Sequence, residues 1–177
     1  ESLARVSVLA DQLDTPVHIH LHETAQEIDD SLVRYGVRPL ERLARTNLLS
    51  PRLIAVHAVH LLDGEIDALA RHGCHLAHCP TSNLKLASGL PQLQKWHEAG
   101  LNIGIGTDGA ASNNRLDMFA EMRLAALLAK GVSGHAEAWP AQLALRAATL
   151  DGARALGLDG QIGSLDAGKS ADMIAVN

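Results

Sequence analysis

Half of a (β/α)8 barrel is the fold class that this sequence predicts. Four strand-like runs centre near positions 20, 57, 77 and 105, with helical patterns of apolar residues between them. These intervals fit crossover helices between parallel strands. Aromatic residues make up only 2% of the chain, so the core must be Leu, Ala, Val and Ile, which suits helices laid on parallel strands. A whole barrel typically needs about 250 residues, and four parallel strands with helices on one side do not close on themselves.

Taken in order, residues 2–14 read as a helix with Leu3, Val6, Ala10 and Leu13 on one stripe. Pro16 to Thr24, PVHIHLHET, follows as a strand. Alternation along a strand sends His18, His20 and His22 to one face and Val17, Ile19 and Leu21 to the other. Thr24 and Glu27 have the spacing of a capping box, so a helix opens there, and Gly36 stops it after Tyr35. Pro39 starts the next helix, with Leu40, Leu43 and Ala44 inward, ending near Asn47. Leu53 to Val59 is an apolar strand carrying His57, and Asp63 caps a helix through about Arg71.

Cys74 to Cys79 reads as the third strand, and PTSNLKLASG after it as a loop. Pro91 begins a helix that Gly100 ends, and Asn102 to Gly106 is a fourth strand running into Thr107, Asp108 and Gly109. The strongest helical pattern covers about Arg115 to Lys130, with Asn114 as cap and Gly131 as stop, and Pro140 to Leu156 is one more helix. The remainder has Gly-punctuated turns before a short apolar strand, Met173 to Val176, outside the main sheet. Residues 1–158 are thus expected to be barrel, and 159–177 a segment returning to a second, small β-sandwich domain.

Composition narrows the function. The chain is 47% hydrophobic and 20% charged, ordinary for a globular protein, and its formal net charge of −5 with no basic run argues against a nucleic-acid surface. No apolar run approaches the length of a membrane helix. Cys74 and Cys79 fall on opposite faces of one strand and lack C-x-x-C spacing, so reduced cysteines in a cytoplasmic protein are expected. The first residue is Glu1 and helix begins almost at once, so the chain is expected to be truncated and, made alone, inactive and poorly soluble.

Chemistry gathers at the strand ends. His20 and Glu23 follow the first strand, His57 lies in the second, Ser82 and Asn83 follow the third, and Asp108 follows the fourth. Groups at the carboxyl ends of barrel strands converge on one site. Imidazole with carboxylate suits zinc or a similar divalent metal. Burying several imidazoles without partners is costly, which favours ligation over packing for the histidine strand, although the residues alone do not say whether His18, His20 or His22 binds. Asp108 could instead cap a turn, and His57 could be a satisfied core histidine. His60, His72, His97 and His135 read as surface or loop residues, His75 and His78 stay unassigned, and Asn83 and Lys85 are expected to shape the mouth of the site.

The series HIHLHETAQE, RPLERLARTNLLSPRLIAVHAVHL, HCPTSNLKLASG, NIGIGTDGAASNN, AATLDGARALG and GSLDAGKSADMIAV resembles the amidohydrolase superfamily over nearly the whole chain. Within it, the chain is most similar to the branch of 5-methylthioadenosine/S-adenosylhomocysteine deaminases and chlorohydrolase-like enzymes. The resemblance implies strands 5–8 of a metal-dependent hydrolase barrel. It puts a metal-ligating histidine at His20, a proton-shuttling glutamate at Glu23, the sixth-strand histidine at His57 and the eighth-strand aspartate, also a metal ligand, at Asp108. Glu23 and Asp108 would also touch substrate. The family's strand-one H-x-H is not His18-x-His20, because the interval from His20 to Asp108 holds three βα units and not seven.

The activity so implied is hydrolytic deamination of an adenine nucleoside, 5-methylthioadenosine or S-adenosylhomocysteine, with release of ammonia. One Zn2+ per subunit is expected, with Fe2+, Mn2+ or Ni2+ as alternatives, in a homo-oligomer of the full-length protein whose partner is a small purine nucleoside. A chlorohydrolase or a guanine or cytosine deaminase would keep the site and change the substrate. A non-catalytic scaffold would have no use for Glu23, since a structural metal site is closed and needs no proton shuttle. The other zinc-deaminase design, with H-x-E and P-C-x-x-C, is absent from the sequence.

Overall fold

The computed structural model describes residues 2–176. Four parallel strands, β1 (Val17–Leu21), β2 (Leu53–His57), β3 (His75–His78) and β4 (Asn102–Ile105), lie side by side in chain order. That order, with a helical crossover in every interval, makes an open arc of a (β/α)8 barrel, as expected. The register aligns His20 with Val56, Val56 with Ala77, and Ala77 with Gly104 along the concave face. On the convex face Ala55, Leu76 and Ile103 align, and they are fully or almost fully buried under the helices.

The helices of the described residues are α1 (Ser2–Leu13), α2 (Ala25–Tyr35), α3 (Pro39–Ala44), α4 (Asp63–Arg71), α5 (Pro80–Lys85), α6 (Leu93–Glu98), α7 (Ala110–Asn113), α8 (Met118–Ser133), α9 (Ala141–Ala147) and α10 (Leu150–Ala155). Leu43, Ile66, Leu69, Leu93, Trp96, Ala125, Ala129 and Ala144 from this set join the strand residues in one core. Thr24 caps α2 by accepting the Glu27 N–H, and Gly36 ends it at φ +72°, a left-handed turn that glycine adopts without strain.

Several boundaries differ from expectation. The buried side of α1 is Ser7 and Ala10, with the Ser7 hydroxyl 3.5 Å from the Asn47 carbonyl, while Val6 and Leu13 are exposed. The third strand is confined to His75–His78, flanked by Cys74 and Cys79, both buried and unpaired. Residues 80–85, expected as loop, are a helix with Pro80 in its first turn. The long helix starts at Met118 because the Asp117 carboxylate caps it, accepting from the N–H groups of Phe119 and Ala120, and it runs on to Gly134 at φ +73°. Asn114 instead ends α7.

The pattern over Pro140 to Leu156 is two helices, broken at Thr149. The break lets α10 fold onto the concave side of β4, where a Cβ on Gly104 would meet the Gly152 Cα at 3.3 Å and Asn102 donates to the Asp151 carbonyl at 2.8 Å. Gly104 is required by that approach. Met173 to Val176 is exposed and pairs with no strand among the described residues. Among the described residues no helix is long and apolar enough to cross a membrane.

A polar clasp under β1 corrects one sequence reading. His22 does not share the face of His18 and His20: its φ of 51° turns it under the sheet, where it is fully buried. Leu40 N–H donates to His22 Nε2 at 3.1 Å, which leaves the proton on Nδ1, 3.4 Å from Glu65. Arg38 donates to both Glu65 oxygens at 2.7 and 2.9 Å and to the His60 carbonyl at 2.7 Å. Burial alone would push the Glu65 carboxyl up, but His22, Arg38 and the Leu62 N–H outweigh it and hold the pKa at about 2.

A carboxyl depressed in the fold stabilises above its unfolded pKa and loses that contribution as pH falls through the folded value. Stability lost between about pH 4.5 and about pH 2 should therefore carry a Glu65 component. Glu65→Gln is expected to lower the melting temperature at neutral pH and to flatten this acid limb. Thermal melts of metal-stripped full-length protein across that range check it, and a variant limb as steep as the wild type would refute the assignment.

Candidate active site

Each strand delivers its functional group by leaving the sheet at its carboxyl end. His18 and His20 stand on the concave face of β1, lining an open cavity of about 500 Å3 together with Val56, Cys79 and Asp108. Glu23 lies just beyond, its backbone fixed by Glu27, whose carboxylate accepts the N–H groups of His22 and Glu23 at 3.0 and 2.8 Å. His57 would by alternation point to the convex side. Its φ of 67°, with Ala58 at 49°, breaks the alternation. The ring stacks on that of His20, centroids 5.3 Å apart, and its Nε2 lies 3.7 Å from Glu23 Oε2 and 3.9 Å from Asp108 Oδ2.

Asp108 has φ 60°. Its oxygens accept from Ser82 Oγ at 2.6 Å and from the Gly109 N–H at 2.7 Å. Burial pushes this carboxyl up, but these two donors and the nearby His57 and His20 bring it below the usual carboxylate range, so it is an anion at neutral pH.

Sequence reasoning grouped His20, Glu23, His57 and Asp108 at one strand edge, and the structure brings all four together. It missed how they are held. Asn83, expected at the mouth of the site, is buried, with Oδ1 2.8 Å from His57 Nδ1. Nδ1–H donates to it and Nε2 is left facing the two carboxylates. Ser88, which drew no attention in the sequence, is buried and donates to Glu23 Oε1 at 3.2 Å, while its carbonyl accepts from His60 Nε2 at 2.7 Å. The adjacent Gly89, at φ +125° with Val59 Cγ1 2.9 Å from where a Cβ would sit, was the available signal. Lys85 stays outside, bonding the Ala111 carbonyl and Asn114 Oδ1.

Three further histidines make structural contacts outside the cavity. His72 bonds the Ala68 carbonyl at 2.8 Å, and His97 meets Trp139 edge to face at 5.7 Å. His78 is buried against the Trp96 ring. Burial first, and the charge of His57 second, push its pKa down to about 3, so it stays neutral behind the site. Burial first, then the charges of Asp108, Glu121 and Glu23, push the Cys79 thiol up to about 12 and keep it protonated.

Imidazoles and carboxylates converging at the carboxyl ends of parallel strands mark the position where barrel enzymes keep their active sites. The chain belongs to the amidohydrolase family, which it matches over residues 1–177. It is 51% identical over 175 residues to a 5-methylthioadenosine/S-adenosylhomocysteine deaminase of Teredinibacter turnerae, covering 99% of this chain and 40% of that protein. An adenosine deaminase of Xanthomonas campestris, solved with bound zinc, matches at TM-score 0.94 and 56% identity, over 96% of this chain and 39% of its own. Atrazine chlorohydrolase of Arthrobacter aurescens, solved in complex with zinc, matches at TM-score 0.90 and 30% identity, over 96% of this chain and 37% of its own. The chain thus spans about 40% of the length of the curated relative.

The site geometry makes one expectation specific. Asn83→Ala in the full-length protein removes the partner that orients the His57 ring, and partners of this kind are typically worth about 10- to 100-fold in activity. The loss should fall on kcat with KM nearly unchanged. Steady-state kinetics check it, and a change confined to KM would return Asn83 to the mouth of the site.

Proposed function

We propose that this chain forms half of the active site of a metal-dependent hydrolytic deaminase acting on adenine nucleosides, 5-methylthioadenosine or S-adenosylhomocysteine. Water replaces the ring amine and ammonia leaves. The observation that carries this reading is the placement of His57 Nε2 within 3.7 Å of Glu23 and 3.9 Å of Asp108, beside the His20 ring. A higher identity to the deaminase than to the chlorohydrolase favours ammonia over chloride as the leaving group. A cytoplasmic location belongs to the same reading, supported by two buried, unpaired cysteines.

The donor set fits a divalent metal, with zinc the leading candidate, since the His20 imidazole and the depressed Asp108 carboxyl face one open cavity. Among the described residues no three His, Cys, Asp or Glu side chains are grouped closely enough to hold an ion alone. His20 and Asp108 are assigned as two ligands of a set that the described residues do not complete among themselves. When bound, such a metal lowers the pKa of a water toward neutrality. Asp108, kept anionic by Ser82 and Gly109, is placed to take a proton from the attacking water. Glu23, held by Ser88, is placed to protonate the purine ring nitrogen and pass a proton to the departing amine. His57, turned by Asn83, faces the attacking oxygen and holds it in line.

Separate roles give separable outcomes in the full-length protein. Glu23→Gln should keep the metal and lose about 10² to 10⁴ in kcat, the usual worth of general acid/base help. His20→Ala and Asp108→Ala should lower metal content, because each removes a ligand. Metal stoichiometry is measured beside the rate of ammonia release from a purine nucleoside panel, with chloride release from triazines as the contrast. A metal-free Glu23→Gln protein, or an Asp108→Ala protein with full metal and full rate, would overturn these roles.

A further inference from the structure

Glu121 is an almost fully buried carboxylate that the reaction above does not use. It sits in the first turn of α8 at 1% exposure. Neither of its hydrogen bonds is to a cation: Oε1 accepts from Asn113 Nδ2 at 2.7 Å, and Oε2 accepts from the Thr81 N–H at 3.1 Å. A buried carboxylate left without a counter-charge costs free energy that a solvent-facing residue would avoid. Its position therefore asks for a reason, and its two partners supply one.

Thr81 is the residue before Ser82, whose hydroxyl holds Asp108 Oδ2 at 2.6 Å. Asn113 spends its second amide N–H on the carbonyl of Thr107, the residue before Asp108, at 2.8 Å. Its Oδ1 accepts from the Leu116 N–H at 3.2 Å, so every polar atom of the Asn113 side chain is occupied. One carboxylate thus ties the backbone beside Ser82 to the backbone beside Asp108, across the gap that the Ser82–Asp108 hydrogen bond spans.

We propose that Glu121 is a positioning residue that clamps the start of α5 to the strand-end turn at Thr107, and so sets the Ser82 hydroxyl against the Asp108 carboxylate. The inference rests on the reading of Asp108 as a metal ligand. It explains why a carboxylate serves here, because both partners are N–H donors and each of its two oxygens accepts from one of them. Glutamine would turn an NH2 against one of them. The effect on the site passes through Ser82, and that route can be measured.

The test is a double-mutant cycle in the full-length protein, with Glu121→Gln, Ser82→Ala and the pair. Zinc affinity is read by chelator competition, alongside kcat, KM and the melting temperature. Glu121→Gln is expected to weaken zinc binding about tenfold or more, in the range typical of residues that orient ligands, and to lower kcat with little change in KM. In the Ser82→Ala background the same substitution should add little. If zinc affinity stays within about twofold of wild type while only the melting temperature falls, or if the two substitutions multiply fully, the proposal is overturned.

Should Glu121→Gln not fold, Asn113→Ala carries the same cycle, because it cuts the link to Thr107 and leaves the Thr81 bond in place; additivity with Ser82→Ala would again count against the clamp. A wild-type protein that binds zinc but releases no ammonia from nucleosides would remove the functional reading. The zinc readout would still decide the role of Glu121.

Discussion

Three hydrogen bonds from one short segment hold the candidate site together. Between Cys79 and Gly89 the chain presents Ser82 to Asp108, Asn83 to His57 and Ser88 to Glu23, and all three donors or acceptors are buried. The segment is itself cross-braced, since the Ser88 N–H donates to the Asn83 carbonyl at 2.8 Å and His60 grips the Ser88 carbonyl. Groups arriving from β1, β2 and β4 are therefore referenced to the single element that follows β3. Placement to within about half an ångström, which catalysis demands, is easier when one rigid element aims every group than when each strand end does so alone.

That common reference matters because the strand ends are strained. His22, His57 and Asp108 have φ of 51°, 67° and 60°, a region that costs a side-chain-bearing residue on the order of 1 kcal/mol or more. Such conformations persist where the surroundings over-determine them. Each of the three is pinned by polar contacts: His22 by Leu40 and Glu65, His57 by Asn83, Asp108 by Ser82 and Gly109. The turn at each strand end re-aims the side chain that follows the pleat, and so decides which residue enters the site and which goes under the sheet.

This is also where the sequence stopped being readable. Period-two alternation placed His18 and His20 correctly, because both lie within the regular part of β1. It failed one residue past the strand, at His22, and would have sent His57 the wrong way, because alternation holds only while φ stays extended. Side-chain chemistry kept His57, Glu23 and Asp108 as candidates, since a titratable group at a strand end is a site candidate whatever its φ, and the family resemblance supplied their roles. Serine and asparagine are weaker flags: Ser82 and Asn83 were noticed by their place after the third strand, but the hold of Asn83 on His57 and of Ser88 on Glu23 emerged from contacts. Helix starts were misplaced where two caps competed: Asn114 and Asp117 are both plausible, and α7 occupies the residues before Asn114.

Glu121 is the extreme case of what pattern hides. In sequence it is one more acidic residue in the first turn of a helix, where the macrodipole favours it and solvent normally surrounds it. Its burial follows from packing: α7 and the start of α5 close over that turn, with Asn113 and Thr81 presenting N–H groups to it. The helix terminus and these two donors together replace water around the charge, which is how the fold tolerates it. A carboxylate held only by amides is sensitive to their position, so its stability depends on the spacing between the start of α5 and the turn at Thr107. A backbone movement that carried Thr81 away from Asn113 would strip hydrogen bonds from the buried Glu121 side chain, and that penalty opposes it.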